Sequence, residues 1–319
     1  MRHRKKALKT SKQGWAGRLF GIPVFSAKTQ LYIAMAAALL FWPQISLADS
    51  NTPQVQGTTQ NLVYEVYAGG VHAVQSKVRI QIGPDGHYDM NLHAYTRGFL
   101  AKILPWDGLF ETHGQTLADG RHLPASHKST RIWKDETDMA EYLFKPDGSL
   151  EKLTIHDYGK KPYERDLEEE LTTGTIDVLT AVLAVLEDYN ESGKCAGRSE
   201  VFDGKRRFEQ VFTDKGTVEL EPSAYNIYGG PAAKCTVEVI PVSGRWHKKP
   251  RGWLYIQEQG RKLGMMPTLW IAQIDKDGPA VPVKIHIKTI YGSMFMHLAE
   301  YDNGQNILVA DRRMREADK

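Results

Sequence analysis

Five short turn signals set between runs of alternating apolar and polar residues restrict what this chain can fold into. Pro84-Asp85-Gly86, Pro146-Asp147-Gly148, Asp214-Lys215-Gly216, Lys276-Asp277-Gly278 and Asp302-Asn303-Gly304 each supply a residue tolerant of positive φ where a tight hairpin needs one. The flanking runs, such as Leu62-Val63-Tyr64-Glu65-Val66-Tyr67, Lys77-Val78-Arg79-Ile80-Gln81-Ile82 and His87-Tyr88-Asp89-Met90-Asn91-Leu92, fit half-buried strands with one wet face. Strands joined this closely pair antiparallel with their sequence neighbours. The expectation is a mainly β protein, a curved antiparallel meander curling into a half-barrel or β-spiral rather than a parallel α/β fold.

One segment departs from the alternation. Residues 176–186 (IDVLTAVLAVL) are apolar on every side of a 3.6-residue helix, with Thr175 as N-cap, Asp177 in the first turn and Gly193 beyond the end. A helix apolar all round is buried all round, and the concave face of the curled sheet is the place to bury it. Its Val and Ile also allow a fully buried strand, against which its length argues. Ile176, Leu179, Leu183 and Leu186 are therefore candidate lining for a ligand cavity; if they pack closely on the strands, they fill that cavity instead. The run Asp166-Leu167-Glu168-Glu169-Glu170 before the helix reads as a solvated face, since adjacent exposed carboxylates share one environment and cannot divide acid and base roles.

The first 48 residues read as an address. Eight basic residues precede an unbroken apolar run at 31–42, and Ser46-Leu47-Ala48 places small residues at the −3 and −1 positions, which predicts a signal peptide cut after Ala48 and delivery to the periplasm. An uncleaved anchor would need roughly 20 apolar residues, and this run is interrupted by Lys28 before it and Pro43-Gln44 after it. The net charge of +3 is misleading, because without the eight leader charges 33 Lys and Arg face 38 Asp and Glu. A mildly acidic exported chain has no global attraction to nucleic acid and meets little nucleotide. The expected organisation is a signal peptide at 1–48, a disordered linker at 49–60, one domain at 61–305 and a frayed Arg-rich tail at 306–319.

Cys195 and Cys235 are the two cysteines of the chain, and an even pair in an exported protein reads as a disulfide. Closing a loop of that length stabilises by roughly 4 kcal/mol in the chain-entropy model. The rival reading, a nucleophilic thiol, needs a base that the sequence does not display, and Lys194 is weak support for it.

The order Gly193-Lys194-Cys195, then Val201-Phe202-Asp203-Gly204-Lys205-Arg206-Arg207-Phe208, then Ala233-Lys234-Cys235-Thr236-Val237-Glu238 resembles a family of exported bacterial proteins, domain of unknown function 3108. The likeness takes in Gly174-Thr175-Ile176-Asp177, Pro241-Val242-Ser243-Gly244 and the closing strands around Pro282-Val283-Lys284-Ile285 and Ile290-Tyr291-Gly292, or about residues 60–302. The resemblance implies a curved half-barrel around a helix, similar to periplasmic lipoprotein carriers and β-spiral envelope proteins, and it brings no catalytic residues. Read from the residues alone, Phe202, Asp203 and Gly204 form a strand-turn element in which Asp203 bonds forward to the backbone. Arg206 and Arg207 alternate faces on the next strand, so one points inward either to pair with a carboxylate or to grip an anionic group of a ligand.

Other patterns are weaker. The histidines show no HxH, HxxxH or HExxH spacing, so no metal or other cofactor is expected. The GxSxG elbow, GxGxxG and Walker patterns are absent, which argues against an enzyme. The stretch Gly98-Phe99-Leu100 through Leu109-Phe110 is either core or the lip of an apolar pocket. Arg245-Trp246-His247-Lys248-Lys249-Pro250-Arg251-Gly252-Trp253 is a loop that either packs its Trp residues back or touches an anionic membrane surface. The expected function is binding without chemistry, of a lipid or lipoprotein ligand in the concave face; the alternative is a structural protein that supports the envelope through contacts with envelope proteins.

Overall fold

Among the described residues the period-two pattern is realised as fifteen strands in one antiparallel sheet. A computed structural model describes residues 57–276 and 278–317, so the signal peptide expected at 1–48 and most of the linker at 49–60 lie outside the described residues. In chain order the elements are β1 (Thr58–Ala68), β2 (Val71–Ile82), β3 (His87–Thr96), α1 (Gly98–Ile103), β4 (Trp106–Thr116), β5 (His122–Trp133), β6 (Glu136–Phe144), β7 (Leu150–His156), β8 (Tyr163–Glu164), α2 (Glu169–Thr172) and α3 (Val178–Ser192). There follow β9 (Gly197–Phe202), β10 (Arg206–Leu220), β11 (Gly230–Gly244), α4 (Trp253–Lys262), β12 (Thr268–Gln273), β13 (Ala280–Thr289), β14 (Gly292–Asp302), β15 (Ile307–Val309) and α5 (Asp311–Ala317).

The sheet order is β8-β7-β6-β5-β4-β3-β2-β1-β14-β13-β12-β11-β10-β9, with β15 added on β14. β1 therefore sits in the middle, paired on one side with its hairpin partner and on the other with β14, and two arms run out from it. The arms end at β8 and β9, which do not pair with each other, so the half-barrel has an open seam. Unpaired strand edges invite aggregation, and here the segment before α3 covers the β9 edge. Ile176 lies along β9, its N–H donating to the Glu200 carbonyl at 2.9 Å and its carbonyl accepting from Phe202 N–H at 3.1 Å. Arg165 Nη1 crosses the seam to the Gly204 carbonyl.

Register decides what faces inward. Ile80, Met90, Thr112, His127, Tyr142 and Leu153 are successive cross-strand partners, and α3 packs against this row. The next row toward the end where β1 turns into β2 is Leu62, Val78, Leu92, Phe110, Ser129, Ala140 and Ile155. Leu179, Leu183 and Leu186 are buried in one core cluster with Tyr88, Met90, Phe212 and Val283, while Ile176 is half-buried against Ala181, Val201 and Phe208. Close packing of this kind removes Leu179, Leu183 and Leu186 from the candidate cavity lining. They are the filling of the half-barrel, and burying each such side chain stabilises by about 1.5–3 kcal/mol.

The helix itself differs from expectation in three ways. It starts at Val178, capped by Asp177 rather than Thr175: Asp177 Oδ1 accepts from Leu179 N–H at 2.9 Å and Thr180 N–H at 3.1 Å. Thr175 instead donates its hydroxyl to the Thr172 carbonyl. It also runs past Leu186 to Ser192, ending at Gly193 in the left-handed conformation (φ 68°), and Val178 is solvent-exposed, so it is not apolar-buried all round.

Three further expectations are corrected. Asp214-Lys215-Gly216 makes no hairpin but a bulge inside β10, where the pairing register with β11 shifts and Asp214 Oδ2 accepts from Gly216 N–H. Thr58, Thr59 and Gln60 are strand rather than linker, and buried Gln60 donates to the Pro279 carbonyl. The tail is not frayed: β15 and α5 fold back, and Arg313 donates to Glu65 Oε1 at 2.5 Å and Glu300 Oε2 at 2.8 Å. Cys195 and Cys235 form the disulfide, fully buried, tying the segment after α3 to β11.

Candidate functional site

α3 does not fill the whole concave face. At the end where β1 turns into β2, here called the mouth, a cleft of about 410 Å³ stays open. Its floor comes from the second inward row and its neighbours: Trp106, Phe110, Ala140, Tyr142 and Ile155. The space exists because small residues stand in register there. Ser129 and Ala140 face each other between Phe110 and Ile155, and Gly108 leaves room for Trp106 and Phe110 to close over it, since a Cβ at that position would lie 2.7 Å from the Trp106 ring and 3.1 Å from Phe110.

The wall of the cleft is polar and set by the β9–β10 turn. Asp203 Oδ1 accepts from the backbone N–H groups of Lys205 (3.1 Å) and Arg206 (2.9 Å), and Oδ2 accepts from Arg206 Nε at 2.8 Å. Gly204 sits at φ 87° with its Cα against Tyr142, where a Cβ would lie 2.6 Å from the Tyr142 hydroxyl. Phe202 packs edge-on against Tyr142 and joins the cluster of Leu153 and Leu171. Arg206 lies over the Trp246 ring at 4.9 Å, and Arg207 donates to Glu200 Oε2 at 3.1 Å and the Glu170 carbonyl at 2.8 Å. Both arginines are thus paired with carboxylates, Arg206 while lining the cleft.

Other cations line the cleft as well. Arg165, held across the seam by Gly204, lines both this cleft and a neighbouring one of about 750 Å³ formed with Tyr163, Glu168, Leu171 and Arg245. Lys205 also lines both, is exposed, and among the described residues its ammonium has no hydrogen-bond or ion-pair partner. Arg131 pairs with Asp138, whose carboxyl is held below its usual range by the Tyr158 N–H, by Arg131 and by the nearby Lys205 charge. Burial keeps the Tyr142 hydroxyl protonated throughout the ordinary pH range. An apolar floor under partly uncommitted cations suits a ligand with an apolar body and an acidic end.

Behind Tyr142 lies a buried polar network joining α3 to the wall. His127 Nδ1 stands 3.0 Å from Thr112 Oγ1 and 3.4 Å from Asp177 Oδ1, while Thr180 Oγ1 donates to Asp177 Oδ2 at 2.6 Å and lies 3.0 Å from the Tyr88 hydroxyl. Burial holds His127 below its ordinary value, with Asp177 pulling the other way. Hydroxyl, imidazole and carboxylate together invite a nucleophile-relay reading, but Thr112 and Asp177 meet the same ring nitrogen. A relay needs them on opposite nitrogens, so the group is a structural pin.

The 98–110 stretch, expected as core or the lip of an apolar pocket, divides: Phe110 packs on the main core cluster and lines the cleft floor with Trp106, while Phe99, Ile103 and Leu104 are exposed. Sequence reasoning missed Arg131, Asp138, Ala140 and Arg165, which gather only through cross-strand register. Trp246 packs back on Phe208, donating its ring N–H to the Ser243 carbonyl.

A model of a family described as protein of unknown function (DUF3108) matches residues 63–299. The chain belongs to this DUF3108 family. The matched span runs from β1 to β14, so the DUF3108 unit is the half-barrel with its helix, seam and disulfide. A search of the curated proteins finds no match. Among solved structures, the chain is similar to a β-barrel-like protein of domain of unknown function DUF1849 from Brucella abortus, at 10% identity and a TM-score of 0.41, covering 77% of this chain and 98% of that one. A likeness that distant carries no argument about the site.

Proposed function

We propose that this protein is an exported, non-enzymatic envelope protein that binds one amphipathic anionic molecule, an acyl chain with an acidic head, in the mouth of its half-barrel. The observation that carries the reading is the 410 Å³ cleft, with Phe110, Ala140 and Ile155 as floor and Lys205 unpaired at its wall. Its volume falls in the range of small-ligand sites, roughly 300–1,000 Å³. The apolar body would displace water from the half-buried floor while Lys205, with Arg165 beside it, meets the head. Export rests on the leader and on the buried disulfide, which persists in oxidising compartments.

The test is a titration of the folded protein with a fluorescent long-chain fatty acid. One saturable site is expected, weakened about tenfold by Lys205→Glu, in line with loss of a charged contact, and abolished by Ala140→Trp, which fills the floor. Absent or non-saturable binding in the parent overturns the reading.

A second reading, a structural protein that supports the envelope through partner contacts, is favoured by one observation: Leu179, Leu183 and Leu186 occupy the interior that a larger cargo would need.

A further inference from the structure

The strands alternate in direction, so their connections fall into two sets at opposite ends of the sheet. The mouth-end connections are residues 69–70, 97–105, 134–135, 157–162, 165–177, 203–205, 245–267 and 290–291, the 165–177 segment lining a cleft with Lys205 and Arg245; the far-end ones, among the described residues, are 83–86, 117–121, 145–149, 193–196, 221–229, 274–276 with 278–279, and 303–306. The two sets differ in charge. The mouth-end set carries thirteen Lys and Arg against nine Asp and Glu, and the far-end set four against five. A chain whose acidic residues outnumber its basic ones beyond the leader thus concentrates positive charge at one end.

Most of the exposed large apolar side chains lie at the same end, Ile307 (68% exposed), Leu308, Leu143, Tyr225 and Met314 being the exceptions. Val71, Phe99, Ile103 and Leu104 stand at the β1–β2 and β3–β4 connections, and Ile290 and Tyr291 at the β13–β14 hairpin, with Phe99 69%, Ile290 60% and Tyr291 84% exposed. Apolar loop tips grouped at one end among cations suit a partner that is apolar below an anionic surface. We infer that the mouth-end rim docks on an anionic lipid bilayer, with these tips entering the headgroup region and Lys248, Lys249 and Arg251 on the lipid phosphates.

Charge complementarity selects this occupant. A second copy of the same face would bring like charges together, and a neutral apolar protein surface would leave the cations unpaired. The leading loops, 97–105, 245–252 and 290–291, connect strands from β3 through β1 to β11, in the middle of the sheet order and away from its β8 and β9 ends. The acidic run at 166–170 lies at the seam between those ends, where Asp166 and Glu168 share a cleft with Lys205 and Arg245 and the Glu170 carbonyl accepts from Arg207. Docking therefore leads with the middle of the sheet, with the acidic seam to one side of the contact. This surface is independent of whether the cleft takes a ligand.

The experiment is flotation of the folded protein with vesicles of phosphatidylethanolamine containing 30% phosphatidylglycerol, and with vesicles in which phosphatidylcholine replaces the anionic lipid. Binding is expected to the anionic vesicles alone, with loss at high salt. Lys248→Ser/Lys249→Ser/Arg251→Ser is expected to bind roughly 100-fold more weakly, each basic residue near such a surface being worth about fivefold. Phe99→Ser/Tyr291→Ser is expected to weaken binding and to remove the part that survives salt, whereas Lys145→Ser/Lys276→Ser at the far end is expected to bind like the parent. Each variant is first checked for the parent's thermal transition. Equal binding to both vesicles, no binding to either, or an equal loss from the far-end variant overturns the inference. Flotation needs no ligand in the cleft, so it stands or falls apart from the fatty-acid titration.

Discussion

Replacing Asp177 with Ala tests how the interior helix is held. Asp177 is 1% exposed and does three jobs: it caps α3 through Leu179 N–H and Thr180 N–H, accepts the Thr180 hydroxyl, and stands 3.4 Å from His127. Losing an N-cap costs about 1–2 kcal/mol, and losing a hydrogen bond to a charged group costs about 1.5–3 kcal/mol. Thr180 keeps the Tyr88 hydroxyl as a partner, so the expected total for Asp177→Ala is about 3 kcal/mol rather than the sum of the maxima. In a domain of this size that lowers the melting temperature by about 6–12 °C. Asp177→Asn keeps a cap acceptor and is expected to cost about 1 kcal/mol, and Thr175→Val, which loses one hydrogen bond to Thr172, a similar amount. Urea denaturation followed by tryptophan fluorescence, with the disulfide intact, measures all three. The reasoning fails if Asp177→Ala lies within 0.5 kcal/mol of the parent, a margin typical of surface changes without a structural role, or if Thr175→Val costs as much.

Four further outcomes follow from the structure. Cys195→Ser/Cys235→Ser is expected to lose up to about 4 kcal/mol by the loop-entropy estimate, measured by the urea midpoint, and an unchanged midpoint would refute a stabilising bridge. Gly204→Ala is expected to cost about 2 kcal/mol, since Ala at φ 87° is strained and its Cβ meets Tyr142; adding Tyr142→Phe should recover the contact part but not the backbone part. Burial and the neighbouring Lys284 hold His297 down to about 4, so the unfolded chain binds its proton first as pH falls. Stability is then full above about 6.5 and lost between about 6.5 and 4, by about 2 kcal/mol after allowance for partial exposure, and His297→Gln should remove that part of the pH profile. Arg313→Met leaves buried Glu65 with His72 and Gln75 but without its arginine, and is expected to cost about 2–3 kcal/mol, read by thermal unfolding.

What the sequence revealed and what it hid divide along the range of the interactions involved. Pro84-Asp85-Gly86 and Pro146-Asp147-Gly148 each make the hairpin their residues announce, because turn chemistry is local. Asp214-Lys215-Gly216 has the same chemistry and makes a bulge, because β10 continues to pair with β11 on both sides of it. The helix was visible from its apolar content, yet Thr175 and Asp177 are both good caps and only packing chooses between them. The tail looked frayed because Arg312, Arg313 and Arg315 are polar in sequence, while Glu65, the carboxylate that fixes Arg313, is 248 residues away. The cleft was hidden for a related reason. Gly108, Ser129 and Ala140 say nothing singly, and they open a space only when β4, β5 and β6 place them together; a one-residue slip in any of them would close it.

The central claim is that the mouth takes an amphipathic anion, and native mass spectrometry with lipid extraction, on protein purified from the cell envelope with its disulfide intact, tests it most directly. The account predicts one bound acidic amphiphile per chain in the parent and none in a folded Ala140→Trp variant. An apo mass under gentle conditions, unchanged after incubation with anionic lipid, would contradict it.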